Sequence, residues 1–432
     1  MMKRFFKFSE RQTTYKQEFF AGLTTFLSIA YILIVNPLIL SEAGMDKGSV
    51  FTATALTAIV GTLLIGIFAN YPIAIAPSMG LNSFFTFSVS IGMGIAWEVA
   101  LTGVFIASIL FVILSLMKIR EKIIQVIPQD LKYAIASGIG FFITFVGLKN
   151  AGIVREDADT FVQLGDLTEP MTALALFGLI VTIIMLALGI NGAIFYGMVV
   201  TTIIGMIGGL IHTPSAIVSH IPSVAPTFGV VLTHIHEVLS LEMLAVIFTF
   251  LFVAFFDTAG ALIALTNQAG IMKNGKIPNI EKALLADSSA GVIGAVLGTS
   301  TPATTVESSA GIANGGRTGF TAIVVACLFL LTLFFSPLLT VITTEVTAPA
   351  LIVVGSLMAK QVQVINWQEV EIVIPSFLTI IMMPLTSSVA TGIAFGFILY
   401  PLLFMAKKRT REIHPLMYIL SVLFVLYLFI SS

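Results

Sequence analysis

Apolar stretches long enough to cross a lipid bilayer recur along almost the whole chain. A transmembrane helix needs about 20 consecutive and mostly apolar residues. Here 57% of the 432 residues are hydrophobic and 10% are charged, whereas soluble domains carry about 25% charged residues. So many apolar helices are stable together only in lipid, and the sequence therefore predicts an all-α protein with many membrane spans.

We place fourteen spans in the sequence, of which the third and the tenth are interrupted by proline and polar residues. The spans are residues 17–40, 50–69, 72–90, 97–117, 128–148, 171–189, 193–211, 241–266, 281–298, 300–314, 318–338, 345–359, 370–384 and 386–406. Residues 1–16 precede them as a tail. Within residues 413–432, the apolar segment from Pro415 to Ile430 is interpreted as a fifteenth span, with an interfacial helix as the alternative.

Positive charge is distributed so unevenly that it indicates the orientation of the chain. Cytoplasmic loops of membrane proteins are enriched in Lys and Arg. With a cytoplasmic N-terminus, the fourteen spans place 18 of the 21 Lys and Arg residues inside. They lie in residues 1–16, 118–132, 273–282 and 407–411 and at Arg317 and Lys360, whereas Lys47, Lys149 and Arg155 fall outside. We therefore predict a multi-pass protein of the cell membrane with its N-terminus in the cytoplasm.

The two interrupted spans resemble each other. One contains AIAPSMGLNSFFTF at residues 74–87, and the other contains GTSTPATTVESSAGIANGGRTG at residues 298–319. Aligning the prolines pairs Pro77 with Pro302, Asn82 with Glu307 and Ser83 with Ser308. In the second segment we expect an extended piece at residues 299–301 and a half-helix from about residue 303 to residue 313.

This correspondence predicts an inverted repeat. Because seven spans is an odd number, the second set of seven enters the membrane from the side opposite to the first. Interrupted spans at corresponding positions of two such halves indicate the binding site of a transporter. A broken helix is tolerated at membrane depth only where protein or a water-filled cavity surrounds it.

Three carboxylates lie well inside consecutive predicted spans: Asp257, Asp287 and Glu307. An ionised carboxylate at the bilayer centre costs at least about 2.5–3.5 kcal/mol. Each of these three residues is therefore expected to have a functional or structural role. The two acceptor oxygens of a carboxylate match adjacent N–H donors of a planar heterocycle. We predict that Asp257 and Glu307 bind a substrate and the coupled proton, and that Asp287 supports the broken segments. Glu18, Glu98 and Glu345 lie near span ends and are expected to be interfacial.

Backbone donors and aromatic rings complete the predicted site. Helix N-termini carry unpaired N–H groups, and we expect such donors at residues 78–80 and 303–305, together with the N–H of Ser83. Four neighbouring rings are candidates for stacking on a flat substrate: Phe84, Phe85, Phe255 and Phe256.

Other classes of protein are not favoured. The single cysteine excludes an internal disulfide and a cysteine metal cluster. His234 and His236 lack the further ligands that a metal site requires. No nucleotide-binding or hydrolase motif occurs, so we expect no metal, no cofactor besides a proton, no nucleic-acid partner and no enzymatic activity.

Four runs resemble the adenine–guanine–hypoxanthine permease branch of the xanthine–uracil (nucleobase–ascorbate) permease superfamily. They are AGLTTFLSIAYILIVNP from residue 21, APSMGLNSFF from residue 76, FFDTAGAL from residue 255 and TPATTVESSAGIANGGRTG from residue 301. The resemblance implies fourteen spans in two inverted seven-span repeats. It implies a core domain at residues 17–117 and 241–338, a gate domain at residues 128–211 and 345–406, proton symport and often a homodimer.

The resemblance also assigns roles to residues. The substrate carboxylates of the family match Asp257 and Glu307, its third-span polar contact matches Asn82 beside Gly80, and its structural acid matches Asp287. Substrate is then expected to lie between the broken spans, with backbone N–H groups of Ser83, Thr304 and Thr305 as donors.

The resulting hypothesis is proton-coupled uptake of adenine, guanine or hypoxanthine by an elevator-like alternating-access mechanism. A xanthine or uracil permease and a sulfate-type anion permease of the same architecture are alternatives, although Glu307 disfavours an anion. An ion channel is the alternative from another class.

Overall fold

The computed structural model describes residues 2–117, 128–214, 216–272 and 277–431. Of the basic residues predicted to be cytoplasmic, a few lie outside the described residues: Lys118, Arg120, Lys122, Lys273 and Lys276. The outermost residues of the predicted tail and of the C-terminal segment, Met1 and Ser432, also lie outside them.

The first half of the chain contains nine described α-helices and three short strands. The helices are α1 (Met2–Phe5), α2 (Tyr15–Ile29), α3 (Ile32–Glu42), α4 (Lys47–Leu64), α5 (Met79–Ser83), α6 (Trp97–Leu116), α7 (Gln129–Asn150), α8 (Pro170–Ala187) and α9 (Ala193–Ile207). The strands are β1 (Ile75–Pro77), β2 (Val154–Asp157) and β3 (Phe161–Leu164). Two π-helical stretches, Ile65–Ala69 and Phe84–Gly92, extend α4 and α5.

The second half contains eight described α-helices and one strand. They are α10 (Leu241–Gln268), α11 (Ile280–Leu297), β4 (Pro302–Thr304), α12 (Ser308–Ala313), α13 (Gly319–Thr332), α14 (Thr344–Ala359), α15 (Val370–Leu385), α16 (Val389–Ala406) and α17 (Pro415–Ser431). Short 3₁₀ turns lie at Val230–Leu232, Ile235–Leu239, Leu333–Thr340, Lys360–Val364 and Thr410–Glu412. By length and composition, eight helical segments of the described chain can cross a membrane, and four further apolar helices are shorter.

The tenth span is broken as predicted, but its parts are shifted toward the C-terminus. The extended piece is Pro302–Thr304 rather than residues 299–301, and the half-helix begins at Ser308 rather than near residue 303. The reason is that residues 302–304 pair with β1 in an antiparallel sheet. These residues therefore adopt an extended backbone, and the helix begins only after the paired segment ends.

Helices of both halves pack into two groups. In the first group, α4 packs against α11 and α13, α6 packs against α10 and α11, and α2 packs against α12 and α13. In the second group, α7 packs against α14 and α15, and α8 packs against α9 and α14. The C-terminal helix α17 contacts α16 of the second group and α10 of the first.

The N-terminal segment is folded onto the first group and is not a free tail. Phe6 and Phe8 are only 3% and 2% exposed. Both rings contact Phe320 of α13 edge-on, with centroid distances of 6.0 and 5.8 Å. The predicted tail is therefore part of the packed structure, because its aromatic residues are buried against the end of a span.

Glu18, which is predicted to be interfacial from its position near a span end, has a buried side chain at the N-terminus of α13. Its carboxylate accepts hydrogen bonds from the backbone N–H of Arg317 at 3.0 Å and from the Thr321 hydroxyl at 2.6 Å. It also accepts from the backbone N–H of Thr318 and of Thr321, each at 3.3 Å. Helix N-termini carry unpaired donors and a partial positive charge, so Glu18 both satisfies the start of α13 and joins it to α2.

This contact predicts the stability of two variants. Glu18→Ala leaves buried donors without an acceptor and should lower the free energy of unfolding by about 1–3 kcal/mol. Glu18→Gln keeps one acceptor oxygen and should lower the free energy of unfolding by less than Glu18→Ala does. Thermal unfolding of the purified protein measures both. The control is Glu10→Ala, whose side chain is 65% exposed and should change stability by no more than about 0.5 kcal/mol. Equal melting temperatures for Glu18→Ala and Glu10→Ala would contradict the capping role.

Candidate functional site

The two broken spans meet in an antiparallel strand pair. Ala76 of β1 lies opposite Ala303 of β4, and the strand residues are buried on both sides. Two backbone hydrogen bonds flank the pair, from Ser78 N–H to the Thr301 carbonyl at 3.1 Å and from Thr305 N–H to the Ala74 carbonyl at 3.0 Å. Backbone groups that leave a helix at membrane depth must find partners inside the protein, and here each broken span supplies them to the other.

The register of this pair explains why proline is accepted in both strands. In an antiparallel pair, hydrogen-bonded and non-hydrogen-bonded positions alternate. Since the flanking bonds join residues 78 to 301 and 305 to 74, the facing pair Pro77 and Pro302 occupies a non-hydrogen-bonded position. A proline lacks the N–H, and at this position the ladder does not need one.

Polar side chains bind the outer edges of the strand pair. The hydroxyl of Thr62 on α4 accepts from Ile75 N–H at 3.0 Å and donates to the Ile75 carbonyl at 3.1 Å. On the other edge, Asp287 of α11 accepts from the hydroxyl of Thr304 at 3.5 Å and from that of Thr258 at 2.8 Å. Asp287 is buried and thus links α10, α11 and β4.

Asp257 and Glu307 each accept a hydrogen bond from one hydroxyl group. Ser78, directly after β1, donates to Oδ2 of Asp257 at 2.5 Å. Tyr31, between α2 and α3, donates to Oε1 of Glu307 at 2.6 Å. Both residues are half-buried. The two acids therefore lie beside the strand pair, each joined to it or to a neighbouring helix by one hydroxyl.

Asn82, predicted as a polar contact of the substrate, is fully buried in this structure. Its amide donates to Asn36 and accepts from the hydroxyl of Ser300. Asn36 in turn donates to Thr54 at 2.6 Å and to Thr299 at 2.9 Å. Asn82 and Glu307 occupy equivalent positions in the aligned spans. The amides of Asn82 and Asn36 nevertheless bind each other and join α3, α4, α5 and the segment before β4. Asn82 thus contacts no open surface in this conformation.

The remaining predicted residues are Ser83, Thr304, Thr305 and Gly80, and most of their backbone donors are used within the protein. Thr305 N–H is used by the strand pair, and Ser83 is the fifth residue of α5, so its N–H falls within the helical hydrogen-bond pattern. The strand pair does not use the N–H of Thr304, because this buried residue lies opposite Ile75 at a non-hydrogen-bonded position. Gly80 faces α7, where a Cβ would lie 2.7 Å from Cγ2 of Ile139.

The candidate stacking rings are engaged in packing. Phe84 meets Phe250 edge-on at a centroid distance of 4.9 Å, and Phe255 meets Phe111 at 6.3 Å. Phe85 is fully buried. The side chain of Phe256 lies outside the part of the chain that the structure describes.

Sequence reasoning missed Tyr31, Ser78 and Asn36 as partners of the site. Tyr31 and Asn36 are the polar residues of the otherwise apolar run YILIVN, and Ser78 directly follows Pro77. A polar group inside an apolar span needs a hydrogen-bond partner, and this signal could have indicated all three.

Comparison with known proteins agrees with this architecture. A model described as a permease family, Xan_ur_permease, matches residues 16–395. Guanine/hypoxanthine permease PbuG of Bacillus subtilis is 54% identical over 99% of both chains. Adenine permease AdeP of Escherichia coli is 41% identical over 99% of this chain and 95% of its own.

Solved structures show the fold. The transmembrane domain of the cyanobacterial bicarbonate transporter BicA superposes with a TM-score of 0.63 at 17% identity, covering 88% of this chain and 97% of that domain. The likeness supports the predicted arrangement of two inverted seven-span repeats. Since the family model and the relatives cover nearly the whole chain, this multi-pass membrane protein belongs to the Xan_ur_permease family of permeases.

Proposed function

We propose that this chain is a proton-coupled transporter that imports adenine, guanine or hypoxanthine across the cell membrane, with its N-terminus in the cytoplasm. The names of its relatives, guanine/hypoxanthine and adenine permeases, support the purine class. The observation that carries the proposal is the strand pair formed by two broken spans, with Asp257 and Glu307 beside it. Such a pair places acids and a backbone edge at one point of the membrane protein.

In this proposal, Glu307 recognises the purine. Tyr31 engages Oε1, which orients the carboxylate so that it accepts hydrogen bonds from ring N–H groups. Hydrogen bonds to an ionised carboxylate are about twice as strong as neutral ones. The N–H of Thr304 is the backbone donor for a ring acceptor.

Asp257 carries the coupled proton in this mechanism. Asp257, Asp287 and Glu307 lie inside predicted spans, and negative charges gathered there repel one another. A proton on Asp257 removes one charge and lets Glu307 stay ionised for the substrate. Because Asp257 is bonded to Ser78, loss or gain of this proton acts directly on the end of β1.

Movement of one helical group against the other completes the cycle. We assign the first group to the core, at residues 17–117 and 241–338, and the second to the gate, at residues 128–211 and 345–406. Gly80 of the first group lies close to Ile139 of the second group, at the boundary between core and gate. Small residues permit close helix packing in membranes, and here they permit sliding of the core. The homodimer implied by the resemblance is part of the proposal.

Removal of either acid tests the assignment of the site. Glu307→Gln and Asp257→Asn should each lower the rate of labelled hypoxanthine uptake by about 10- to 100-fold, the effect of losing one charged hydrogen bond. The matched controls, Glu156→Gln and Asp166→Asn, lie at the exposed β2–β3 hairpin and its flank and should transport normally. Competition by unlabelled sulfate but not by hypoxanthine would favour an anion permease. Normal uptake by both acid variants, at equal amounts in the membrane, would refute the assignment.

Tyr31→Phe removes the donor to Glu307 and keeps the ring. We expect KM for hypoxanthine to rise about tenfold while kcat changes less, because the carboxylate loses the bond that orients it. The matched control is Tyr418→Phe, since the described residues provide no hydrogen-bond partner for the Tyr418 hydroxyl. An unchanged KM in Tyr31→Phe would contradict the orienting role.

Proton coupling is tested by removing the driving force. In vesicles with an imposed inward proton gradient, labelled purine should accumulate above its external concentration, and a protonophore should abolish accumulation. Exchange of internal for external purine should continue, since it needs no net proton movement. Accumulation that survives the protonophore, or that requires another ion, would contradict coupling to protons.

A further inference from the structure

A polar cavity lies beneath the folded N-terminal segment. It has a volume of about 500 Å³ and lies between that segment and the ends of α10 and α11. The charged residues that line it are Lys7, Glu10, Arg11, Lys282 and Arg317. Four of these five are basic, and the proposed orientation places all of them on the cytoplasmic side.

Among the described residues, three of the four basic side chains at this cavity have no ion-pair partner. Lys7 is 3.5 Å from Glu10. In the described parts of the chain, no carboxylate lies within 4 Å of the side-chain nitrogens of Arg11, Lys282 or Arg317. Cations gathered around one cavity attract an anion, and Glu10 is the one acidic residue among the described residues that line it.

The walls of the cavity are fixed by hydrogen bonds. Asn70 donates to the Phe6 carbonyl at 3.1 Å and accepts from Gly319 N–H at 2.7 Å, which ties the N-terminal segment to α13. The next residue, Tyr71, donates to the carbonyl of the lining residue Pro278 at 2.5 Å. Nη1 of Arg317 donates to the carbonyls of Ile312 and Gly316 at 2.6 and 2.8 Å. The basic groups are therefore presented on a preformed surface.

An apolar border accompanies the basic lining. Phe5 and Phe68, which both line the cavity, are each 57% exposed, and the neighbouring Ile67 is 40% exposed. A ligand that is anionic at one end and apolar at the other matches this combination. Basic pockets on the cytoplasmic side of membrane proteins bind the headgroups of anionic lipids in this way.

We propose that this cavity binds the phosphate group of an anionic phospholipid. Arg11, Lys282 and Arg317 bind the phosphate oxygens, for which guanidinium groups are well suited, and the acyl chains lie against Phe5 and Phe68. A soluble phosphate has the same charge but leaves the apolar border uncovered.

Such a lipid connects three elements of the transport site. Lys282 lies in the first turn of α11, which carries Asp287, and Arg317 follows α12, which begins directly after Glu307. Arg11 belongs to the N-terminal segment, which is hydrogen-bonded through the Phe6 carbonyl to Asn70, a residue shortly before β1. The bound lipid thus stabilises the elements around both broken spans.

The test is thermal unfolding of the full-length protein, purified in neutral detergent and depleted of lipid. Phosphatidylglycerol should raise the melting temperature, whereas phosphatidylcholine with the same acyl chains should raise it less. Separate titrations with inorganic phosphate and with GMP distinguish a soluble phosphate from a lipid headgroup. Stabilisation by these solutes without an effect of phosphatidylglycerol would overturn the lipid assignment.

Variants of the lining residues test whether phosphatidylglycerol stabilises the protein by binding at this cavity. Each cation near the surface contributes a few-fold in affinity for anionic lipid, so Arg11→Gln/Lys282→Gln should raise the half-saturating phosphatidylglycerol concentration roughly 30-fold. Arg4→Gln/Lys16→Gln removes the same charge from exposed positions outside the cavity and should respond as the wild type does. Arg11→Lys/Lys282→Arg keeps the charge and should retain the response. Wild-type titration curves for Arg11→Gln/Lys282→Gln, or equal effects of both lipids, would overturn the proposal.

Discussion

Backbone hydrogen bonds between two broken spans are the interaction on which the rest of this structure depends. Each break leaves N–H and C=O groups that lipid cannot satisfy. The breaks at Ile75–Pro77 and Pro302–Thr304 satisfy one another in register. Thr62 binds the outer backbone edge of β1, and Asp287 binds the side-chain hydroxyl of Thr304. Neither half of the chain can close this site without the other.

The strand pair also determines where charge can lie. Ser78 leaves β1 next to Asp257, and Glu307 stands immediately before α12, held by Tyr31. Both acids thus have one defined partner and a partly exposed surface. The amides of Asn36 and Asn82 are buried and bonded to each other. This arrangement separates polar groups that join the helices from the two acids that we propose bind a purine and a proton.

Much of this could be predicted from the sequence, because the physical signals are strong. The length of the apolar segments predicts the membrane spans. The alignment of Pro77 with Pro302 predicts the inverted repeat and a binding site where the two broken spans meet. The high cost of a carboxylate in lipid singles out Asp257 and Glu307 by their positions inside apolar runs. These inferences depend only on position along the chain, which the sequence records directly.

The sequence does not reveal the features that depend on direction in space. Asn82 aligns with Glu307, and its amide lies in a buried polar cluster, which an alignment cannot indicate because it gives no side-chain orientation. The sequence places the start of α12 too early because the pairing of residues 302–304 with β1 is a long-range contact. The position of Glu18 near a span end favours the interface, but that position carries no information about the helix N-terminus that Glu18 caps.

In the proposed mechanism a purine binds where the two broken spans meet. An experimental structure of the protein in the presence of hypoxanthine tests this binding site. We expect ligand density beside the β1–β4 pair, within hydrogen-bond distance of the Glu307 carboxylate and near Asp257. Density for hypoxanthine elsewhere, with Glu307 bonded only to Tyr31, would contradict it.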